Sequence, residues 1–293
     1  MRETIPSPDP GFGAYALPAP LEALRGYADH MPRGRAGRWG ASLIRRICLK
    51  ARPPPYDVVL FGSQKARLYP QDNRCEKRAF AGAHLWDGAE RRYLDGMVAE
   101  GRGGFVFVDA GANVGLYTLS VRAACRAVRR PFTAIAIEPD PQTRARLVCN
   151  LASSGANEVA VAPVALAAGS GRVRLAAAAE NRGEVRVDTA GSLAVDALPL
   201  LDVLLNAGIH RIDALKMDIE GMELPVLDAF LNAAPVAMLP RAMVLETGRE
   251  GNAPLLARLA QSGYATVLTT RMNTVLGLAR NPASAAATAR LDS

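Results

Sequence analysis

The segment Asp109-Ala110-Gly111-Ala112-Asn113-Val114-Gly115 constrains this chain more than any other, because it joins the apolar run Phe105 to Val108 to the amphipathic run Leu116 to Val128. An apolar run, a glycine turn and an amphipathic run together predict a strand, a tight turn and a helix. Glycine has no Cβ and takes positive φ freely, so such a turn lets the backbone approach a nucleotide-like ligand closely.

The acid before the turn narrows the ligand. Pyrophosphate cofactors need amide donors and a helix N-terminus unopposed by a carboxylate, whereas Asp109 places negative charge at the strand end. A ligand carrying a sulfonium and an ammonium and no phosphate suits that position, which favours S-adenosylmethionine over NAD or ATP. The spacing also departs from GxGxxG, and no Gly-Lys-Ser/Thr follows.

Composition bounds the rest. A chain of 293 residues that is 49% hydrophobic can bury a large core and holds one α/β domain with extra material. The cysteines Cys48, Cys75, Cys125 and Cys149 are scattered with no CxxC, so reduced thiols are expected rather than a disulfide framework or zinc site. The N-terminus lacks the apolar stretch of a signal peptide, and no run of 18 apolar residues occurs, so a cytoplasmic protein without a transmembrane segment is expected. The net charge of +7 is localised. Between His30 and Tyr56 lie Arg33, Arg35, Arg38, Arg45, Arg46, Lys50 and Arg52 with no acid; without those seven, the 35 basic residues fall to 28, equal to the 28 acidic ones.

Nine of the twenty prolines fall in the first 55 residues, which predicts a largely irregular, partly disordered basic leader over 1–55. One basic amphipathic helix over Trp39 to Leu49 can interrupt it, packed on the domain or making weak peripheral membrane contact through residues 33–52. A domain over 56–280 follows, opening with a hairpin and lid at 56–100: strand 56–61, a Gly62-Ser63 turn, strand 65–69 and a helix at 89–99. Strands at 105–108, 133–137, 159–164, 212–217 and 242–246 then alternate with helices at 115–128, 141–153, 196–206, 221–231 and 253–262. That alternation implies a doubly wound, Rossmann-like α/β fold with a mostly parallel sheet. Residues 171–175 and 184–187 read as an antiparallel excursion, 264–269 and 273–279 as final strands, and 281–293 as a disordered tail.

Three constellations carry chemistry. Glu138 ends the second strand of the alternation, where an acid can accept both ribose hydroxyls; Asp140 reads as the N-cap of the helix starting at Pro141. Lys216, Asp218 and Glu220 alternate at another strand end, and burying that much charge requires pairing or a ligand. Glu246 ends the next strand and faces the same crevice. His84 and Trp86, ahead of the 89–99 helix, are candidates for a substrate lid. No histidine has metal-ligand spacing, and no serine has a nucleophile-elbow context.

With these motifs in place, the chain resembles the FkbM family of S-adenosylmethionine-dependent methyltransferases. The resemblance rests on FVDAGANVGLYTLS (Phe107 to Ser120), IEPDPQTRARLVCNL (Ile137 to Leu151), Pro163 to Leu166, and DALKMDIEGMELPVL (Asp213 to Leu227), with weaker agreement from Tyr56 to Gly277. It implies the class I methyltransferase fold, a seven-stranded sheet with one antiparallel strand near the C-terminus, and methylation of a hydroxyl oxygen on a small-molecule or glycan-type acceptor. It further implies that Asp109, Gly111, Asn113 and Gly115 frame the methionine end of the cofactor, Glu138 its ribose and Ala165 its adenine. Lys216, Asp218 and Glu220 would lie by the transferred methyl group.

The expected function is therefore an O-methyltransferase. N-methylation, an RNA substrate gripped by the basic leader, or a cofactor-binding protein without turnover are the rivals. The leader lacks aromatics beyond Trp39, so nucleic acid is not expected. A metal-dependent variant would draw on Asp218, Glu220 and Glu246; no further acid cluster completes a coordination shell, and metal-free chemistry is expected. Nothing in the residues fixes an oligomeric state.

Overall fold

Period-two burial builds the central sheet. In the computed structural model, which describes residues 10–178, 181–187, 191–248 and 252–279, β3 (Phe105–Ala110) turns Phe105 and Phe107 to one core and Val108 and Ala110 to the other. Its neighbours β4 (Phe132–Ile137), β10 (Ala214–Met217) and β11 (Ala242–Glu246) divide in the same way: Ala134, Ala136, Ala214, Ala242 and Val244 face one side, Ile135, Ile137, Leu215, Met217, Met243 and Leu245 the other. A strand buried on both faces needs helices on both, and that is a three-layer α/β arrangement.

With β5 (Val159–Ala162), β12 (Tyr264–Thr269) and β13 (Asn273–Leu278), the sheet has seven strands in the order β12-β13-β11-β10-β3-β4-β5. Strands β5, β4, β3, β10 and β11 run parallel, and β13 runs antiparallel to both β11 and β12. The chain leaves β3 toward β4 and β5, then returns to lay β10 on the other side of β3. The topological switch point falls between β3 and β10, where open α/β sheets form ligand crevices beyond their strand C-termini.

The helices between these strands are α4 (Gly88–Glu100), α5 (Leu116–Ala127), α6 (Pro141–Ser153), α7 (Leu200–Asn206), α8 (Glu223–Ala233) and α9 (Ala253–Gln261). Asp140 caps α6 as expected, accepting the Thr143 N–H at 2.7 Å ahead of Pro141. The hairpin of β1 (Tyr56–Leu60) and β2 (Gln64–Leu68) also forms as read.

Two expectations fail. Among its described residues, 10–55, the expected leader is not largely irregular: it holds α1 (Ala19–Ala28) and α2 (Arg35–Ala51), and the expected 39–49 helix is only the middle of α2. Tertiary packing outweighs the proline and glycine content, because Leu17, Ala28, Ala41, Ile44 and Cys48 join the same core as Tyr56, Val58 and Phe80. Polar links reinforce it. Asp57 is buried against Arg67 at 2.7 Å and takes the N–H groups of Gly13 and Tyr15, while Arg25 donates to the carbonyls of Phe80 and Val59.

The second failure concerns 196–206. Strand β9 (Leu193–Leu198) occupies its start, and α7 begins only after Pro199. Val195 and Ala197 alternate inward, a period-two signal hidden beside the apolar run that follows. Strand β9 joins β6 (Ala165–Leu166), β7 (Gly171–Ala178) and β8 (Asn181–Val187) in a second sheet of order β6-β9-β7-β8. A further short α-helix, α3 (Arg74–Ala79), is capped by Asn73, which accepts the N–H groups of Cys75 and Glu76. The expected disordered tail at 281–293 lies outside the described residues. Among the described residues, no helix is long and apolar enough to cross a membrane.

Candidate active site

The face of β3 that buries Phe105 and Phe107 presents Asp109 next, and the same face of β10 presents Lys216 beside it in register. Both are almost fully buried. Apolar packing thus gives way to paired charge at the C-terminal edge of the sheet. The Asp109 carboxylate accepts the Thr118 N–H at 3.0 Å and the Thr118 hydroxyl at 2.6 Å, which fastens the first turn of α5 to the strand. Burial raises its pKa, with Thr118 and Lys216 pulling the other way.

The turn after Asp109 requires left-handed backbone at Gly111 (φ +73°), Asn113 (φ 51°) and Gly115 (φ +84°). Ile137, at the end of β4, accepts the N–H groups of Gly111 and Ala112, both at 3.0 Å. A Cβ on Gly111 would stand 1.9 Å from the Asp218 carbonyl oxygen, so only glycine lets β3 and β10 converge there.

Glu138 lies one residue beyond β4 and is 6% exposed. Its two carboxylate oxygens accept the Asn113 N–H at 2.9 Å and the Asp140 N–H at 3.0 Å. Burial pushes its pKa up to about 8, against the pull of those two donors.

On the other side of β3, the chain leaves β10 at Met217, and Asp218 donates its N–H to the Ala110 carbonyl at 3.0 Å. Lys216 Nζ lies 3.4 Å from Asp218 Oδ2 and 5.3 Å from the Tyr117 ring centroid. Burial pulls the Lys216 pKa down, but Asp218, Asp109, Asp87 and Glu246 outweigh it and leave it raised, so the ammonium is held charged. The strand does not stay extended: Glu220 takes φ 60° and Gly221 φ 101°, which delays α8 to Glu223. Glu223 fixes this turn by accepting the N–H groups of Ile219 (2.8 Å) and Gly221 (3.0 Å).

One cleft joins these pieces. Asp109, Gly111, Asn113, Glu138, Ala165, Lys216, Asp218, Glu220 and Trp86 all line it. Gly115 does not; it caps α5, where a Cβ would stand 2.5 Å from Leu147 Cδ1. Glu246 stands just beyond the lining, with one carboxylate oxygen within 4.8 Å of those of Asp218 and Glu220. His84 is elsewhere: its Nε2 meets the Met31 carbonyl at 2.6 Å, so it ties the α1–α2 connection to the domain rather than serving as a lid.

Sequence reasoning missed the wall opposite the turn. Tyr117 donates its hydroxyl to Asp87 at 3.1 Å and packs edge-on against Trp86 with ring centroids 5.0 Å apart. Asp87 also meets Arg78 at 3.3 Å and occupies the N-cap position of α4. An acid directly before a helix was the available signal. Tyr117 gave none, because it reads as one more apolar position of α5.

The ionisable lining among the described residues comprises the carboxyls of Asp87, Asp109, Glu138, Asp218 and Glu220 against the amine of Lys216. Such a cleft is poorly suited to pyrophosphate and well suited to a cationic cofactor. An apolar wall of Val164, Ala165 and Leu166 completes a place for a flat base.

A doubly wound sheet of this order, opening at its switch point into an acidic cleft, defines a class I S-adenosylmethionine-dependent methyltransferase. Residues 109–250 match the family model described as the methyltransferase FkbM domain. No curated protein matches its sequence. Several solved structures are similar at low identity. Precorrin-6y C5,15-methyltransferase from Geobacter metallireducens is 13% identical with a TM-score of 0.41, over 64% of this chain and 86% of that one. An rRNA methylase from Streptococcus thermophilus is 10% identical with a TM-score of 0.40, over 65% and 94%. A SAM-dependent methyltransferase from Agrobacterium tumefaciens is 8% identical with a TM-score of 0.42, over 66% and 62%.

Proposed function

We propose that this methyltransferase acts on a hydroxyl oxygen of a small-molecule or glycan-type acceptor, with Asp218 as the general base. The observation that carries this reading is the Lys216–Asp218 pair at the cleft edge. Asp218 is partly open to the cleft and sits 3.4 Å from a buried, charged ammonium. An alcohol attacks well only as its proton leaves, and a carboxylate kept ionised by a neighbouring cation can take that proton. Amines need less help, because a neutral amine is already nucleophilic; a dedicated carboxylate favours oxygen.

Asp109, Gly111 and Asn113 would hold the methionine end of S-adenosylmethionine, Glu138 the ribose hydroxyls and Ala165 the adenine. When bound, S-adenosylmethionine supplies a methyl group on a sulfonium cation. The chain's own contribution is alignment and exclusion of water. Trp86, Tyr117 and Asp87 would form the acceptor side of the cleft, with Glu220 as the alternative base. A cytoplasmic location is consistent with four unpaired cysteines.

A second reading rests on the grouping of Asp218, Glu220 and Glu246, whose oxygens lie within 4.8 Å of one another. A divalent cation held there would bind the acceptor oxygen and lower its pKa.

The test is to incubate the protein with S-adenosylmethionine labelled in its methyl group and extracts of cells lacking the protein, then locate the label. Label on an ether oxygen supports the proposal, and label on an ester oxygen, which marks a carboxylate acceptor, overturns it. Label on nitrogen or carbon, or in RNA, overturns it.

A further inference from the structure

The outward face of α2 is amphipathic in a way the fold does not use. Gly37, Ala41, Ile44 and Cys48 turn inward, spaced by four, three and four residues, and only Gly37 lets the helix approach Pro32, whose carbonyl oxygen would lie 1.7 Å from a Cβ. Those residues satisfy the domain. On the opposite side, Trp39, Leu43 and Ile47 repeat every four residues and remain 71%, 43% and 43% exposed. At 100° per residue, Arg35, Arg38 and Arg46 line one flank of this stripe, and Lys50 extends it by a turn. All four are exposed, and no acid occurs between His30 and Tyr56.

We propose that α2 docks the protein onto a bilayer surface containing anionic phospholipid, with Trp39, Leu43 and Ile47 entering the boundary between headgroups and chains. The physics matches an interfacial helix: an aromatic and two branched aliphatics on one stripe, arginines and a lysine beside it, and a short apolar depth that cannot span. Charge selects the occupant. A second copy of the same face would bring arginine against arginine, which disfavours self-association. RNA would use the arginines but leaves Leu43 and Ile47 without a role, since single-stranded bases stack on aromatics. An anionic bilayer uses both halves. The buried inner face fixes α2 to the domain, so the stripe is presented without unfolding the helix. This inference is independent of the acceptor reading, because none of these residues lines the cleft.

Tryptophan emission tests it directly. The chain has two tryptophans, and Trp86 is 3% exposed, so a vesicle-induced change reports Trp39. Titration with vesicles of phosphatidylcholine mixed with phosphatidylglycerol should shift emission to the blue and co-sediment the protein, and salt should weaken the binding. Vesicles of phosphatidylcholine alone should bind at least about tenfold less. The double variant Leu43→Ser with Ile47→Ser should lose about tenfold or more in co-sedimentation. The triple variant Arg35→Gln, Arg46→Gln and Lys50→Gln should lose about a hundredfold. Methyl transfer in solution should be unchanged in both. Absence of binding to the mixed vesicles by wild type overturns the proposal without reference to any variant. Unchanged binding by the Leu43/Ile47 variant overturns insertion, an RNA that displaces the vesicles overturns the lipid as the occupant, and a dimer broken by the same variant assigns the stripe to self-association.

Discussion

Glu138 makes the sharpest prediction about cofactor binding. Its carboxylate is buried, accepts two backbone N–H groups and has its pKa pushed to about 8. Ribose hydroxyls donate best to the ionised form, and two charge-assisted hydrogen bonds contribute about 1.5 to 3 kcal/mol each. Ionising the group at pH 7 costs about 1.4 kcal/mol, one pKa unit. The net is about 1.6 to 4.6 kcal/mol, or roughly 15- to 2000-fold in affinity, lost in Glu138→Gln. The sign follows from the raised pKa. Below pH 8 the unliganded group is neutral, so affinity should rise by about tenfold per pH unit from pH 6 toward 8 and level off above. The same shift makes the ligand-free fold less stable as pH rises from the carboxylate's ordinary range through 8, because the unfolded chain ionises first. Calorimetry with S-adenosylhomocysteine over this pH range, on wild type and Glu138→Gln, is the assay. Wild-type affinity in a folded Glu138→Gln, or a flat profile in wild type, would refute the reasoning.

Gly111→Ala should cost about 3 kcal/mol or more, since it forces a left-handed alanine and a contact with the Asp218 carbonyl; a melting temperature lowered by roughly 6 to 12 °C in a thermal scan is expected. Deleting residues 1–52 should abolish cooperative unfolding, because Ile44 and Cys48 are core residues and Asp57 loses two donors; a truncated chain that melts within a few degrees of wild type would contradict this. Extensive treatment with a chelator should leave turnover unchanged if Asp218 acts as the base, and loss restored by a divalent cation would favour the carboxylate cluster as a metal site.

The cleft was legible because its parts are local. The turn at Gly111, the acid at Glu138 and the alternating charges from Lys216 each announce themselves within a few residues of a strand end, and parallel α/β folds bring such ends together. The helix beginning at Pro141 was equally legible, since Asp140 and Pro141 are adjacent capping signals. What the sequence hid depends on distant contacts. Residues 1–55 read as a proline- and glycine-rich leader until Ala28, Ile44 and Cys48 join the core of the hairpin. His84 looked like a lid residue, yet its partner is the Met31 carbonyl, 53 positions away. Glu223 lay in plain view beside Asp218 and Glu220, but its task of holding Ile219 and Gly221 becomes visible only once the turn has a shape.

Asp218→Asn offers the most direct measurement of the central claim. The substitution preserves size and hydrogen-bonding shape beside Lys216 while removing the basic charge. Methyl transfer to the labelled acceptor, measured across a pH series with cofactor affinity determined on the same samples, should fall by about two orders of magnitude or more while binding stays within a few fold. Full turnover in Asp218→Asn, with cofactor binding intact, would contradict the assignment of the chemistry to this strand end.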